Sequence, residues 1–405
     1  MNSKSILHLD LDTFFVSVER LLDSRLVGLP ILIGGTSDRG VVASCSYEAR
    51  AFGIHSGMPM KLAKDLCPEA TIIRGNSANY SKLSQDVTDI IKEMVPLYEK
   101  SSIDEFYVDL SGMDRFHGCL KLAKEVRQRI IRETGIPNSF GLSINKTVSK
   151  VATGEAKPNN ELQILEGTEK RFLAPLSIKK IPMVGDKTYQ TLRNLGIRNI
   201  GTVQEMPLEM MEQVLGKNGV SIWKKAQGID NSAVQPYCER KSISTERTFD
   251  KDTIDVRRLE GILVAMCENL AYQLRRGNKL TACVTLKIRY SDFNTYTMQR
   301  RIPYTSADHL LLPIVKELFK KLYQRRVLIR LIGVRFSHLV EGGHQINLFD
   351  DSEERIQLYQ AMDKMRLRYG DRAVVSAAGL DARTIGRMYN PFSGQPPTLL
   401  ANRRQ

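Results

Sequence analysis

The amino-acid sequence predicts an α+β protein of several domains, and three observations support this fold class. Residues 1–165 alternate between segments with the period of a strand and segments with the period of a helix. Residues 166–235 carry short helical patterns separated by glycine, with few strand signals. Alternating strands and helices return between about residues 245 and 340, and a chain of 405 residues has room for two to four domains.

The N-terminal region begins with ILHLDL, where apolar and polar residues alternate as in a half-buried strand. FFVSVERLLDS has a helical pattern, and CLKLAKEVRQRIIRETG is an amphipathic helix that Gly135 closes. The elements expected in this region are strands at 5–11, 29–33, 102–110 and 139–144 and helices at 14–24 and 119–135.

The rest of the chain divides into a helical block, a polar linker and a second α+β region. PMVGDKTYQTLRNLGI and LGKNGVSIWKKAQGI form the helical block, and QPYCERKSISTERTF, residues 235–249, has no helical period and is expected to be a linker. A disordered segment is expected beyond residue 385. The elements expected in between are helices at 256–277, 307–323 and 353–369, the last with Ser352 as N-cap, and strands at 280–290, 295–302 and 328–337.

The net charge of +14 is concentrated in one part of the chain. Residues 1–165 hold 20 basic and 20 acidic residues, whereas residues 241–340 hold 19 basic and 9 acidic residues, a net charge of +10. A basic patch of domain size favours a polyanion as partner, and nucleic acid is the commonest polyanion. The alternative is a basic surface that only promotes solubility.

Composition also narrows the class of protein. No apolar run approaches the roughly 18 residues that a membrane span needs, and the N-terminus lacks the apolar stretch of a signal peptide. A soluble cytoplasmic protein is therefore expected. The six cysteines show neither CxxC nor zinc spacing and are expected to be buried thiols in a reducing compartment: Cys45, Cys67, Cys119, Cys238, Cys267 and Cys283.

Three carboxylates are predicted to converge between two strands. In ILHLDL the leucines occupy one face, so Asp10 lies on the other, at the strand's end. In SIDEFYVDL, Asp104 has the parity of the apolar face and escapes burial only at a strand mouth or in a turn, so Asp104 and Glu105 are placed at a hairpin tip. Such a trio requires cations between its members, and hard oxygen ligands suit Mg²⁺. The alternative is that these acids are solvated strand ends.

Two further segments carry groups suited to phosphate. Tyr47 and Arg50 in CSYEARAFGI are three residues apart and share a helix face, where a phenol and a guanidinium can hold phosphate oxygens. Lys157 stands before a Pro-Asn turn in EAKPNNE, a rigid place for a cation. Taken singly, each such segment is more often ordinary surface.

Five motifs occur in order along the chain: HLDLDTFFVSVE, YEARAFGI, SSIDEFYVD, SINKTVSKVAT and KPNN. Together they resemble the Y family of translesion DNA polymerases, and within it the DinB, or polymerase IV, branch. The resemblance covers roughly residues 5–345. It implies a right-hand polymerase with a palm, fingers, a small helical thumb and a C-terminal α+β little-finger domain. The implied domains are palm 1–11 and 76–165, fingers 12–75, thumb 166–235, linker 236–242, little finger 243–341 and tail 342–405.

The resemblance also implies roles for individual residues. The backbone carbonyl of Leu11 would join the three carboxylates in holding two Mg²⁺ ions. Phe15 would be a steric gate whose ring lies under the deoxyribose and clashes with a 2′-hydroxyl; the alternative is a core aromatic of the first helix. The residues implied to contact the incoming dNTP are Phe15, Ser44, Tyr47, Arg50 and Lys157.

The thumb motif departs from the family pattern. PMVGDKT resembles a helix–hairpin–helix turn whose backbone N–H groups meet a DNA phosphate, and Gly185 and Lys187 fit this role. Relatives commonly have glycine where Met183 stands, and glycine lets the backbone approach closely. Met183 therefore puts this contact in question.

QINLF, residues 345–349, resembles the short peptide that docks into the bacterial sliding clamp. Gln345 would fill a small polar pocket, and Leu348 and Phe349 an apolar one. The alternative is a strand end whose Leu and Phe pack internally.

The implied function is template-directed, low-fidelity DNA synthesis by a monomer without a proofreading exonuclease. The primer 3′-oxygen would attack the α-phosphate of a dNTP and release pyrophosphate. Two other functions are open: a catalytically silent DNA- or clamp-binding scaffold, and a nucleotidyl cyclase that uses a palm without DNA. The intact carboxylates argue against the scaffold, and the basic block argues against the cyclase.

Overall fold

The computed structural model describes residues 4–113, 118–342, 353–370 and 373–382. Its internal contacts divide the described residues into two compact units, with the boundary between Cys238 and Glu239. None of the described helices combines the length and the apolar composition that crossing a membrane requires.

The first unit contains two sheets and eleven α-helices within its described residues. Its strands are β1 (Ile6–Leu11), β2 (Ile31–Gly34), β3 (Val42–Cys45), β4 (Thr71–Ile73), β5 (Tyr98–Lys100), β6 (Glu105–Asp109), β7 (Asn138–Ser143) and β8 (Glu161–Gln163). Its helices are α1 (Phe14–Leu22), α2 (Tyr47–Ala51), α3 (Met60–Leu66), α4 (Ser77–Met94), α5 (Cys119–Thr134), α6 (Lys146–Ala156), α7 (Glu169–Leu173), α8 (Asp186–Asn194), α9 (Ile200–Glu205), α10 (Leu208–Leu215) and α11 (Lys217–Ala226).

The larger sheet has the strand order β5-β6-β1-β7-β8, so the first strand of the chain lies at its centre. β1 is antiparallel to both β6 and β7. The smaller sheet has the order β3-β2-β4. The predicted strands at 5–11, 29–33, 102–110 and 139–144 and the predicted helices at 14–24 and 119–135 are confirmed, with shifts at their ends.

β1 is buried on both faces, so the expectation of a half-buried strand was wrong. Leu7 and Leu9 are fully buried, as their alternation predicts, but His8 is also only 1% exposed. The reason is α6, which covers the second face: Thr153 donates its hydroxyl to the His8 carbonyl at 2.9 Å. This close packing requires Gly141 in β7, because a Cβ there would lie 2.2 Å from a carbonyl oxygen of α6.

The second unit is one antiparallel sheet with helices packed on it. Its strand order is β11-β10-β12-β9. α12 and α13 bury their apolar faces against the sheet, in a core that includes Leu263, Leu286 and Phe336. Its elements are β9 (Ser242–Thr253), α12 (Val256–Arg276), β10 (Lys279–Tyr290), β11 (Thr295–Thr305), α13 (Asp308–Leu322), β12 (Ile329–Glu341), α14 (Glu353–Tyr369) and a short 3₁₀ helix (Ala377–Ala382).

Two sequence expectations are corrected by these elements. Most of the segment 235–249, expected to be a linker, belongs to β9. Among the described strands β9 lies at the sheet edge and pairs with β12 alone, so it needs few apolar residues. Five of the six cysteines are buried as expected, but Cys238 is exposed. The expected N-cap Ser352 and the segment beyond residue 385 lie outside the described residues.

Candidate active site

The two strands that carry the predicted acidic residues are neighbours. Asp10 in β1 stands opposite Glu105 in β6, and the Leu11 amide donates to the Asp104 carbonyl at 2.9 Å. Asp104 lies in the four-residue turn between β5 and β6, with the Ser102 hydroxyl bonded to its carboxylate, and Glu105 is the first residue of β6. The predicted hairpin tip is therefore confirmed, and the tip lies beside the end of β1.

Asp10 is largely buried and is bonded to the ammonium group of Lys157. Burial raises the pKa of Asp10 to about 7, and the negative charges of Asp104 and Glu105 add to this, while Lys157 opposes it. A carboxylate in this environment favours a cation beside it, and Lys157 supplies one here.

Glu105 is held by a second lysine. Lys150 donates to both carboxylate oxygens of Glu105 at 2.6 Å, and His8 Nε2 lies 3.9 Å from one of them. Burial would raise the pKa of Glu105, but His8 and Lys150 hold it well below its usual range. Burial lowers the pKa of His8 itself to about 4, so the imidazole is neutral near pH 7.

The donor set suits a hard divalent cation, although its side chains are not arranged as ligands. Within the described ranges, no three His, Cys, Asp or Glu side chains lie close enough together to hold a metal ion. Asp10 and Glu105 instead face Lys157 and Lys150. Oxygen donors on adjacent strands that already attract two ammonium groups fit the chemistry of a magnesium-type ion.

Tyr47 and Arg50 occupy the same face of α2, as their spacing predicts. The Arg50 guanidinium lies over the Tyr47 ring, 4.9 Å from its centroid. Ser46 caps the helix by accepting the Ala49 amide at 3.2 Å. Burial, with the charge of Asp12, raises the pKa of Tyr47 to about 12, so its hydroxyl stays protonated. Ser44 lies in β3, paired with Ile33.

Phe15, the predicted steric gate, lies in the first turn of α1 at the edge of the core. Its ring stacks on Tyr80, with the centroids 4.4 Å apart and the planes 19° from parallel. The ring is only partly buried, so it is neither a fully enclosed core aromatic nor a freely exposed one.

Comparisons with known proteins cover most of the chain. Residues 9–154 match the impB/mucB/samB family, and residues 240–348 match the C-terminal domain of the same family. Residues 179–230 match the thumb domain of DNA polymerase iota. A DNA polymerase IV of Dehalococcoides mccartyi strain BAV1 is 37% identical over 379 residues, 92% of this chain and 97% of the relative. The chain belongs to the impB/mucB/samB family of Y-family DNA polymerases.

Other relatives of this Y-family chain agree. A DNA polymerase IV of Clostridioides difficile strain 630 is 34% identical, over 90% of this chain and 99% of the relative. A solved Y-family DNA polymerase chimera of Dbh and Dpo4 has the same fold, with a TM-score of 0.72, 24% identity, and coverage of 84% of this chain and 100% of that one. The predicted family and α+β fold class are confirmed.

In the thumb turn of this Y-family chain, Met183 adopts a backbone conformation that usually favours glycine. Met183 has a φ of 82°, in the left-handed region, and its side chain is 71% exposed. Gly185 precedes α8 as its N-cap residue, and Lys187 is exposed in the first turn of that helix. The backbone shape of the turn therefore tolerates Met183, at the cost of strain that glycine would avoid.

Sequence reasoning gave no role to three residues that contact the site: His8, Asp12 and Lys150. Lys150 and Lys157 are seven residues apart, which places them about two turns from each other along α6 and its end. That spacing alone did not identify their acidic partners, because the pairing with Glu105 and Asp10 depends on how α6 packs on the sheet. Asp12 stands two residues after Asp10, but its parity alone does not show that it is buried.

Proposed function

We propose that this chain is a template-directed DNA polymerase that copies damaged templates with low fidelity. The observation that carries this proposal is the pairing of Asp10 with Glu105 at the mouth of the β5–β6 turn, beside Lys157. Tyr47 and Arg50 supply phosphate-binding groups, and the family relationship supplies the reaction class.

Family membership implies dependence on a divalent metal, and we assign two Mg²⁺ ions to the carboxylate site. Asp10, Asp104, Glu105 and the backbone carbonyl of Leu11 would hold them. When bound, such ions lower the pKa of an attacking oxygen and stabilise the charge that develops during phosphoryl transfer. The residues of the chain would orient the reactants: the carboxylates would hold the ions, and Lys157 would offer its ammonium group to phosphate oxygens.

The incoming dNTP is assigned to the face formed by α2, β3 and the turn after α6. Tyr47, Arg50, Lys157 and Ser44 offer hydrogen-bond donors to the triphosphate, with Arg50 able to bind in a forked geometry. Phe15 lies in the first turn of α1, three residues beyond Asp12, where an aromatic ring can exclude a 2′-hydroxyl.

Primer–template DNA is assigned to the thumb and to the second unit. Lys287 and Arg289 of β10 alternate with the buried Leu286 and Ile288, so they lie on the sheet face opposite the core. Arg335 of β12 pairs with Thr285 on the same face. In the thumb, Gly185 and Lys187 are the proposed phosphate contacts.

The domain boundaries and remaining partners are proposals of the same kind. We propose palm 1–11 and 76–165, fingers 12–75, thumb 166–235 and little finger 243–341. The boundary between the two compact units falls within the proposed linker 236–242. The clamp peptide with Gln345, Leu348 and Phe349 lies outside the described residues. A monomer that works with the sliding clamp remains our proposal.

Primer extension with Mg²⁺ on an undamaged and a lesion-bearing template tests this function. We expect the wild-type chain to extend both primers, and Asp104→Ala to abolish extension while DNA affinity stays within about twofold. Asp109→Asn is the matched control, because Asp109 lies at the far end of β6 and bonds to the Ser111 amide. Undiminished extension by Asp104→Ala, or nucleotide conversion without template, would refute the proposal.

A further inference from the structure

Asp12 is a buried carboxylate outside the proposed metal set. It is 1% exposed, and the groups that donate to its carboxylate are neutral. The Ser139 hydroxyl donates to its Oδ2 at 2.8 Å, the Asn159 amide donates to the same oxygen at 2.7 Å, and the Tyr47 hydroxyl faces Oδ1 at 3.5 Å. Buried carboxylates are costly, so this one requires an explanation.

One side of Asp12 fixes the turn that follows Lys157. The Asn159 amide donates to Asp12 directly. The next amide, that of Asn160, donates to the Ser139 hydroxyl oxygen at 3.3 Å, and that hydroxyl in turn donates to Asp12. Arg127 donates to the Asn159 carbonyl at 2.6 Å. The turn is thereby attached to Asp12 just after β1, to Ser139 of β7 and to Arg127 of α5, and these contacts fix the position of the Lys157 backbone.

The other side of Asp12 faces the fingers segment. Tyr47 begins α2, and its ring is the surface on which the Arg50 guanidinium lies. The orientation of the Tyr47 hydroxyl therefore affects both proposed phosphate contacts on α2. Asp12 lies between two segments that are more than 100 residues apart in the chain and that both carry groups for the triphosphate.

We propose that Asp12 is a positioning residue that sets Tyr47 and the Lys157 turn in register for the triphosphate of the incoming nucleotide. This rests on the proposed polymerase function. Asp12 is too deeply buried to bind the nucleotide itself and acts through these two segments. Its two carboxylate oxygens have separate roles, since Oδ2 holds the turn and Oδ1 faces Tyr47.

Asp12→Asn separates these two roles. The amide oxygen can replace Oδ2 and keep the bonds from Ser139 and Asn159, whereas the amide nitrogen replaces the acceptor that faces Tyr47. We expect the KM for dNTP to rise about tenfold, the loss expected for one charge-assisted hydrogen bond, with kcat lowered less than threefold. Asp12→Ala, which frees the turn as well, should raise KM further.

Binding without chemistry provides the deciding measurement. A primer with a dideoxy 3′ end is annealed to template, and the complex is titrated with the next correct dNTP in Mg²⁺. We expect Asp12→Asn to weaken dNTP binding about tenfold and to leave primer–template affinity and the melting temperature unchanged. Asp109→Asn should behave as wild type. The double variant Tyr47→Phe with Asp12→Asn should bind dNTP no more than about threefold less tightly than whichever single variant binds it less tightly.

The outcomes distinguish this proposal from the proposed function. If wild type binds dNTP in this complex but does not extend primers, the polymerase function fails, and the affinity of Asp12→Asn still decides the role of Asp12. Wild-type dNTP affinity in Asp12→Asn overturns the proposal. So do fully additive losses in the double variant, and a loss of kcat and thermal stability with KM unchanged.

Discussion

Lys100 lies at the end of β5, where its ammonium group is partly enclosed by neutral groups. It donates to the Thr88 hydroxyl at 2.8 Å and to the Ser84 carbonyl at 3.3 Å, and it lies 5.5 Å from the centroid of the Phe106 ring. Burial lowers the pKa of Lys100 to about 8, although the charge of Asp89 opposes this. Folding therefore disfavours the charged form of this lysine.

Replacing this lysine tests the sign of that effect. Between pH 8 and 10.5 the unfolded chain binds more protons at Lys100 than the folded chain does. The burial of Lys100 therefore lowers the free energy of unfolding most below pH 8, and this effect disappears above pH 10.5. We expect Lys100→Met to increase the free energy of unfolding by about 1 kcal/mol at pH 7, since lost hydrogen bonds offset part of the gain. Urea unfolding at pH 7 and pH 10 should show this gain shrinking. A gain that is constant with pH would contradict the assignment.

Phe15 provides a test of sugar selection. Removing the ring with Phe15→Ala should lower the preference for dNTP over rNTP, measured as the ratio of kcat/KM values, by at least about tenfold, because the space under the sugar opens. Loss of the stacked ring beside Tyr80 should also cost about 2 kcal/mol of stability. Tyr80→Phe, which keeps the stack, is the control. An unchanged preference would rule out Phe15 as the gate.

Strand parity predicted part of the site and could not predict the rest. Alternation placed Asp10 opposite the leucines and put Asp104 in a turn, because both follow from side-chain geometry within one strand. The pairing of Lys150 with Glu105, and of Asp12 with the Asn159 amide, depends on how α6 and its following turn dock on the sheet. No local pattern records that docking.

At the scale of elements, α14 shows how a segment of unassigned function is attached. Arg275 of α12 is 9% exposed in its side chain and binds Asp363 of α14 through two bonds of 2.7 and 3.0 Å. It also binds Asp308 at 3.0 Å, and its guanidinium lies over the Tyr359 ring. These contacts make α14 part of the second unit.

The 3₁₀ helix also packs closely on α12, since a Cβ at Gly261 would lie 2.8 Å from the Ala378 carbonyl oxygen.

Asp363→Ala should loosen α14. Arg275 keeps Asp308 as partner, so we expect a loss of about 2 kcal/mol, less than the roughly 3–5 kcal/mol typical of a broken buried ion pair. Limited proteolysis should cut the variant within α14 faster than wild type. Gln357→Ala, an exposed change on the same helix, is the control. Equal cleavage rates would show that the ion pair does not hold the helix.

The bounds of α14 agree with the predicted 353–369, because its run of helix-forming residues without glycine or proline is local information. β9 escaped prediction for the opposite reason: an exposed edge strand carries polar residues on most positions, and its partners in β12 lie 76 to 95 positions later. Elements defined by their own pattern were predicted, and elements defined by a distant partner were not.

At the scale of the whole molecule, charge is distributed by unit. The excess of +10 in residues 241–340 falls in the second unit, and part of it lies on the sheet face that carries Lys287, Arg289 and Arg335. A polyelectrolyte partner bound through such a face releases counterions, so affinity falls with salt in proportion to the number of phosphates contacted.

Charge reversal on this face should therefore reduce both DNA affinity and its salt dependence. We expect Arg335→Glu to weaken primer–template binding about tenfold and to reduce the slope of log affinity against log salt by about 1. Lys320→Glu is the matched control, because Lys320 is exposed on α13, on the helical side of the sheet. Equal effects of the two variants would show that net charge matters and that this face does not.

The central position of β1 has a consequence for synthesis of the chain on the ribosome. Its six residues are translated long before its two partners, β6 and β7, which begin only at Glu105 and Asn138. A nascent chain therefore carries an apolar segment without a pairing edge until β6 and β7, the latter ending at Ser143, have left the exit tunnel. During that interval the segment is a natural target for chaperones that hold growing polypeptides, and translational pauses before residue 143 would lengthen its exposure.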